Sequence, residues 1–210
     1  MKISASFLSI KEDIKKHILE LDKTTIDYLH LDIMDGCFVE NKTWNITEVK
    51  DWMSDVSKPL DIHLMVGDVT RYIDEYKTLN PFYITFHLEA VNAPLEIIDY
   101  IKKDKIKVGI SIKPNTAIEK VKQFLPYIDL ILVMSVEPGK GGQEFIENTI
   151  YKIEELYEIR NINGYNYLIE VDGGINDKTS LLCEKADILV VGSYITNSDD
   201  YQSQVDILKK

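Results

Sequence analysis

Apolar and polar positions change period repeatedly along this chain, and the changes mark out two kinds of segment. Short runs rich in β-branched residues either alternate or stay apolar throughout, as strands buried on one or both faces do. They cover residues 2–8, 27–34, 60–66, 83–89, 107–112, 129–136, 167–172 and 187–192. Between them, apolar residues recur three and four apart, the spacing of an amphipathic helix. In 12–22, Ile14, Ile18, Leu19 and Leu21 form such a stripe, and 70–79, 93–103, 117–125, 144–159, 177–185 and 201–210 read the same way. The stretch 46–55 carries the least distinct stripe of the set. Eight strands alternating with eight helical segments leave two architectures, an open doubly wound sheet or a closed (β/α)8 barrel. The count of eight and the length of 210 residues favour the barrel, as a single domain over 1–210 with no linker or low-complexity tract.

A barrel of this kind carries its active site at the C-terminal ends of the strands, and three strands break the apolar pattern there. In YLHLDIM, His30, Asp32 and Met34 share one face while Leu29, Leu31 and Ile33 take the other. In DIHLMV, His63 shares its parity with Asp61 and Met65, and in IEVDGGI, Asp172 stands directly before two glycines. Alone, a strand histidine reads as a hydrogen-bonded core residue, and Asp-Gly-Gly as a turn. Together, two imidazoles and two carboxylates at one barrel mouth suit a divalent metal with positions left open for substrate. Without a cation, two buried carboxylates would raise one another's pKa at considerable cost. His87, in TFHLEA, is expected to support the site rather than to ligate, and His17 sits in a charged helix.

Glycines form a second group. EPGKGGQ follows the sixth strand, with Gly139, Gly141 and Gly142; Gly173 and Gly174 follow the seventh, and Gly192 with Ser193 the eighth. Backbone amides at such positions approach anions closely, and barrels often hold a phosphate between the last two of these loops. PGKGG is not a Walker motif, which needs Lys-Ser/Thr after its last glycine.

Charge and composition narrow the partners. A formal net charge of −11 argues against nucleic acid but leaves room for a small anion held by a local positive field. No apolar run is long enough for a membrane span, and MKISASFLSI has no secretory h-region. The two cysteines, Cys37 and Cys183, make no disulfide framework. A cytoplasmic location is expected.

The segments ASFLS, YLHLDIMDGCFVEN, DIHLMV, TFHLEA, VGISIKPNT, VMSVEPGKGGQEF, IEVDGGI and VVGS, each at its expected strand, resemble the ribulose-phosphate 3-epimerase family. The resemblance implies a ribulose-phosphate-binding barrel that interconverts D-ribulose 5-phosphate and D-xylulose 5-phosphate in the pentose phosphate pathway. It implies metal ligation by His30, Asp32, His63 and Asp172, and Asp32 and Asp172 as paired acid and base acting through a metal-stabilised enediolate. It further implies substrate contacts from Ser6, His63, Met34 and Met65, and from the glycines of strands six to eight with Ser193. Zinc is the expected ion, with iron(II), manganese(II) and cobalt(II) also compatible, and the protein is expected to form homo-oligomers. The chain departs from the family pattern at Ala5, at Cys37 and Glu40 in DGCFVEN, and at Lys140 in PGKGG. Lys140 is placed either to reach a substrate phosphate or to remain solvated. Two other readings stand beside the pentose substrate: the same epimerisation of D-allulose 6-phosphate, and a non-catalytic phosphosugar-binding barrel.

Overall fold

The computed structural model describes residues 1–209. Lys210, the last residue of the helical stretch expected over 201–210, lies outside the described residues. Eight parallel strands close into a barrel in sequence order, with β1 (Lys2–Ser6) pairing both β2 (Tyr28–Met34) and β8 (Ile188–Val191). Between them run β3 (Leu60–Met65), β4 (Tyr83–His87), β5 (Lys107–Ile112), β6 (Leu130–Met134) and β7 (Leu168–Asp172). The alternative of an open, doubly wound sheet is thereby excluded.

Side-chain parity divides the apolar residues into two cores. Outward-facing Leu29, Leu31, Ile33, Ile62 and Leu64 join the large core beneath the surrounding helices. Inward-facing Tyr28, Tyr83, Leu130, Leu132, Ile188 and Val190 form a second cluster inside the barrel. All seven residues of β2 are buried, as expected for a parallel strand covered on both faces. The lumen is not wholly apolar: Ser4, His30, Asp61, Thr85, Ser111 and Glu170 are buried within the strands as well.

The surrounding helices are α1 (Ile14–Asp22), α2 (Ile46–Met53), α3 (Val69–Tyr76), α4 (Pro94–Lys102), α5 (Thr149–Asn163), a short α6 (Ser193–Thr196) and α7 (Tyr201–Leu208). The indistinct stretch 46–55 is helical because Asn45 caps it. Its side-chain oxygen accepts from the amides of Thr47 and Glu48 at 2.9 and 3.1 Å, while the Glu48 carboxylate accepts from the Asn45 amide at 3.0 Å.

Two expected helices are corrected. Residues 117–125 form 3-10 turns at Ile118–Lys120 and Lys122–Tyr127, and 177–185 shortens to a 3-10 turn at Thr179–Cys183. Pro126, directly after the expected 117–125 and inside the turn Lys122–Tyr127, cannot donate to a continuing α-helix. In the second, Asn176 Oδ1 takes the amides of Lys178 and Thr179 at 2.8 and 3.1 Å, a local turn that competes with helix nucleation. The expected helix at 144–159 begins only at Thr149, because the Ile146 amide donates to Ser135 O at 2.8 Å and holds the preceding residues across the barrel mouth.

Candidate active site

The strand register carries the polar side chains to one end of the barrel. Ser6 lies beside His30, Asp32 beside His63, and Met34 beside Met65 in the paired strands, while β7 ends at Asp172. One ligand atom each from His30, Asp32, His63 and Asp172 falls within a 4.8 Å cluster, a group able to hold a metal ion. His30 Nε2 lies 3.4 Å and His63 Nδ1 3.3 Å from the same oxygen, Asp32 Oδ1, and His63 Nδ1 is 3.8 Å from Asp172 Oδ2. The other Asp32 oxygen accepts from Ser6 Oγ at 2.7 Å.

The donor set fits a cation on the strength of one atom. His30 Nδ1 is 2.7 Å from Asp61 Oδ2, while His30 Nε2 is buried without any hydrogen-bond partner. With its proton given to Asp61, the neutral ring turns a bare lone pair toward the Asp32 carboxylate. Two electron-rich atoms so placed call for a positive charge between them. In the metal-free chain a proton answers that demand. Burial pushes the His30 pKa down, but the charges of Asp61 and Asp32 outweigh it and lift the group well above its ordinary value.

The two carboxylates of the cluster differ. Burial would raise Asp32, yet the charges and hydrogen bonds of His30 and His63 hold it well below the usual range. Asp172 is pushed up to about 6, first by burial and then by the negative charge of Asp32. A low and a high carboxylate thus share one centre, a separation typical of acid and base partners.

Beneath the centre lies a layer that was not anticipated as part of the site. Asp61 accepts from both His30 and Ser4, the latter at 2.7 Å. Glu170 is fully buried with neither carboxyl oxygen hydrogen-bonded, and burial together with the charge of Asp61 pushes it well above its ordinary pKa. The available signal was parity: Asp61 stands two residues before His63, and Glu170 two before Asp172. Beside the centre, His87 Nε2 lies 2.9 Å from His63 Nε2 and His87 Nδ1 lies 3.2 Å from Glu89. Burial drives His87 down to about 4. Glu89 resists burial through donors from His87, Thr116 and the Lys113 amide, which hold it at about 2.

Above the carboxylates opens a cavity of about 710 Å³. Asp32 and Asp172 line it together with Ser6, Met34 and Met65, and so do Gly139, Gly141, Gly142, Gly173, Gly174, Gly192 and Ser193. His30 and His63 do not; they are buried and reach the centre from behind. Gly173 and Gly174 take φ of 122° and 64°, and a Cβ on Gly174 would sit 2.5 Å from the Phe145 amide nitrogen. The loop after β6 can therefore lie directly against the end of β7. Lys140 is the one lysine or arginine among the lining residues, which include the carboxylates of Asp32, Glu137, Glu144, Glu147 and Asp172.

Fold and site together define a (β/α)8-barrel enzyme whose strand ends carry a metal-compatible cluster of two imidazoles and two carboxylates. The model of the ribulose-phosphate 3 epimerase family matches residues 2–196, and the chain belongs to that family, whose enzymes are isomerases. Among curated relatives, ribulose-phosphate 3-epimerase of Methanocaldococcus jannaschii is 38% identical over 210 residues, covering 99% of this chain and 87% of the relative. That of Mycobacterium bovis is 37% identical over 186 residues, 88% of this chain and 81% of its own. Among solved structures, 3-hexulose-6-phosphate synthase from Salmonella typhimurium superposes with a TM-score of 0.72 at 15% identity, covering 99% of this chain and 96% of that one; it shares the fold.

Proposed function

We propose that this chain epimerises D-ribulose 5-phosphate to D-xylulose 5-phosphate at C3, with a divalent metal held by His30, Asp32, His63 and Asp172. The observation that carries the reading is the pair of carboxylates from β2 and β7, both lining the cavity and meeting at one cluster with two imidazoles. Inverting a carbon next to a carbonyl requires a proton to leave one face and another to return on the opposite face. Asp172, at the edge of the cavity on β7, serves one face. Asp32 serves the other, its orientation fixed by the Ser6 hydroxyl. Acid–base catalysis of this kind supplies about 10²–10⁴-fold. A bound cation, zinc being the expected one, would add Lewis-acid polarisation of the ketose carbonyl.

Met34 and Met65 give the reacting carbons an apolar wall on the cavity side of the cluster. The amides around Gly173, Gly174, Gly192 and Ser193 are placed for the phosphate, and Lys140 is the cation within the same cavity that can follow it. Both cysteines are unpaired, in keeping with a reducing, cytoplasmic setting.

The test is exchange at C3 in deuterated buffer, followed by proton NMR with the metal-replete chain. Ribulose 5-phosphate should lose its C3 proton signal as xylulose 5-phosphate forms. No exchange at C3 with either ketose phosphate would refute an epimerase. Much faster turnover of allulose 6-phosphate would move the substrate to six carbons.

A further inference from the structure

We propose that His87 and Glu89 are positioning residues that fix the tautomer of His63, so that its Nδ1 lone pair is the one facing the paired carboxylates. The inference rests on the metal-centre reading above and concerns what holds one of its ligands in the required state. His63 Nδ1 faces Asp32 Oδ1 at 3.3 Å and Asp172 Oδ2 at 3.8 Å, while its Nε2 faces His87 Nε2 at 2.9 Å. On the far side of the second ring, His87 Nδ1 lies 3.2 Å from Glu89 Oε2.

Between two neutral imidazoles at this distance, one nitrogen must donate and the other accept. Two assignments exist. In the first, His63 donates from Nε2, His87 accepts at Nε2, and His87 keeps its own proton on Nδ1 for Glu89. Every contact in that row then pairs a donor with an acceptor, and His63 Nδ1 is left as a lone pair. In the second, His87 donates from Nε2 and the His63 proton moves to Nδ1, toward Asp32. That leaves a bare nitrogen of His87 against a carboxylate oxygen in a buried setting, where an unpaired contact is costly.

Glu89 is committed as an acceptor from another direction. Its Oε1 receives the Lys113 amide at 2.9 Å and the Thr116 hydroxyl, both from the loop after β5. The ring it orients is also held in place: Phe38 packs on His87 with centroids 4.7 Å apart, and the Lys113 ammonium stands 4.2 Å over Phe38. Each assignment leaves one bare nitrogen against a carboxylate, His63 Nδ1 against Asp32 in the first and His87 Nδ1 against Glu89 in the second. A cation between His63 and the paired carboxylates satisfies the first and not the second, so the first prevails in the metal-loaded chain. His30 shows the same logic with the opposite nitrogen, since Asp61 takes its Nδ1 proton directly and leaves Nε2 bare. One metal-facing imidazole is set by a carboxylate, the other by a carboxylate acting through a second imidazole. Orienting partners of this kind commonly change metal affinity about 10–100-fold when removed.

The test uses the full chain and cobalt(II), with affinity measured by chelator competition. His87→Phe keeps a ring against Phe38 and removes the acceptor; His87→Gln restores an acceptor as its amide oxygen. His87→Phe should bind cobalt about 10–100-fold more weakly than the unsubstituted chain, with a similar melting temperature, and His87→Gln should recover most of the loss. Equal affinity in His87→Phe, or an equal loss in both variants, overturns the inference. Should His87→Phe not fold, the decision falls to the unsubstituted zinc-loaded chain, in which nitrogen-15 NMR should place the His87 proton on Nδ1. A proton on Nε2 of His87 overturns the relay. Failure to take up any divalent ion would instead refute the metal-centre reading itself.

Discussion

Asp32 and Asp172 have the same side chain and opposite surroundings. Asp32 is walled in on both sides: the Ser6 hydroxyl donates to one oxygen, and two imidazole nitrogens stand 3.3–3.4 Å from the other. Asp172 stands at the cavity edge with its side chain 18% exposed, and meets the charge of Asp32 rather than a donor of its own. That asymmetry makes Asp172 the sharper residue to substitute. Asp172→Asn keeps an oxygen that can face a cation but cannot carry the proton. Its kcat for a ketose phosphate should fall about 10²–10⁴-fold, while cobalt(II) is still taken up. Deuterium wash-in at C3 together with the visible spectrum of the cobalt-loaded variant checks both halves. Near-native exchange in this variant would remove Asp172 from the proton-transfer scheme.

At the level of elements, the site depends on how strand ends meet the loops that follow. The β7 end and the loop after β6 press together: Ser135 Oγ donates to the carbonyls of Asp172 and Gly173 at 2.9 and 2.7 Å, and Phe145 backbone covers Gly174. Gly174→Ala places a side chain at φ of 64° against the Phe145 amide. The left-handed backbone alone costs about 1–2 kcal/mol, and the loop must also retreat from the cavity. Gly141→Ala meets nothing within 4 Å and should stay within about 0.5 kcal/mol of the parent. Denaturant unfolding of the two variants side by side tests this, and equal stabilities would show that the contact does not constrain the loop.

The same contrast explains what was legible in the sequence. Period-two alternation in β2 placed His30 and Asp32 opposite Leu29, Leu31 and Ile33 without knowledge of any neighbour. The structure brings all four candidate ligands to one cluster. The turns at 117–125 and 177–185 carry helical spacing too. Their outcome was decided by Pro126 and by the Asn176 side chain, local competitors that outweigh a short apolar stripe. Glu170 and Asp61 were hard to recognise for a different reason. Parity puts Asp61 on the face of His63 and Glu170 on that of Asp172, but only closure of the barrel shows that both lie buried in the lumen and that Asp61 meets His30 from the neighbouring strand.

For the molecule as a whole, the centre concentrates unfavourable charge in the barrel, and its stability should therefore answer to pH and metal together. Asp172 has a folded pKa of about 6 against an ordinary value of 3.8, and His30 is also raised well above its ordinary value. A group raised on folding contributes stability that is complete below its unfolded pKa and is lost as pH rises through its folded one. Both groups act in the same direction, so metal-free protein should lose stability as pH rises above 3.8. The Asp172 share is largely gone once pH reaches about 6, and the His30 share follows at higher pH. Asp32, lowered on folding, acts in the opposite sense, with its contribution lost only as pH falls into the acid range below the unfolded 3.8. A divalent cation replaces those protons, and its binding competes with them. At 100 times Kd, ligation stabilises by about 2.7 kcal/mol, or roughly 5–10 °C in Tm for a chain of this size. Scanning calorimetry with and without chelator should show that gap near its full size at pH 8 and much reduced at pH 5. A gap independent of pH would mean that the cation does not occupy the place where His30 and Asp172 hold protons.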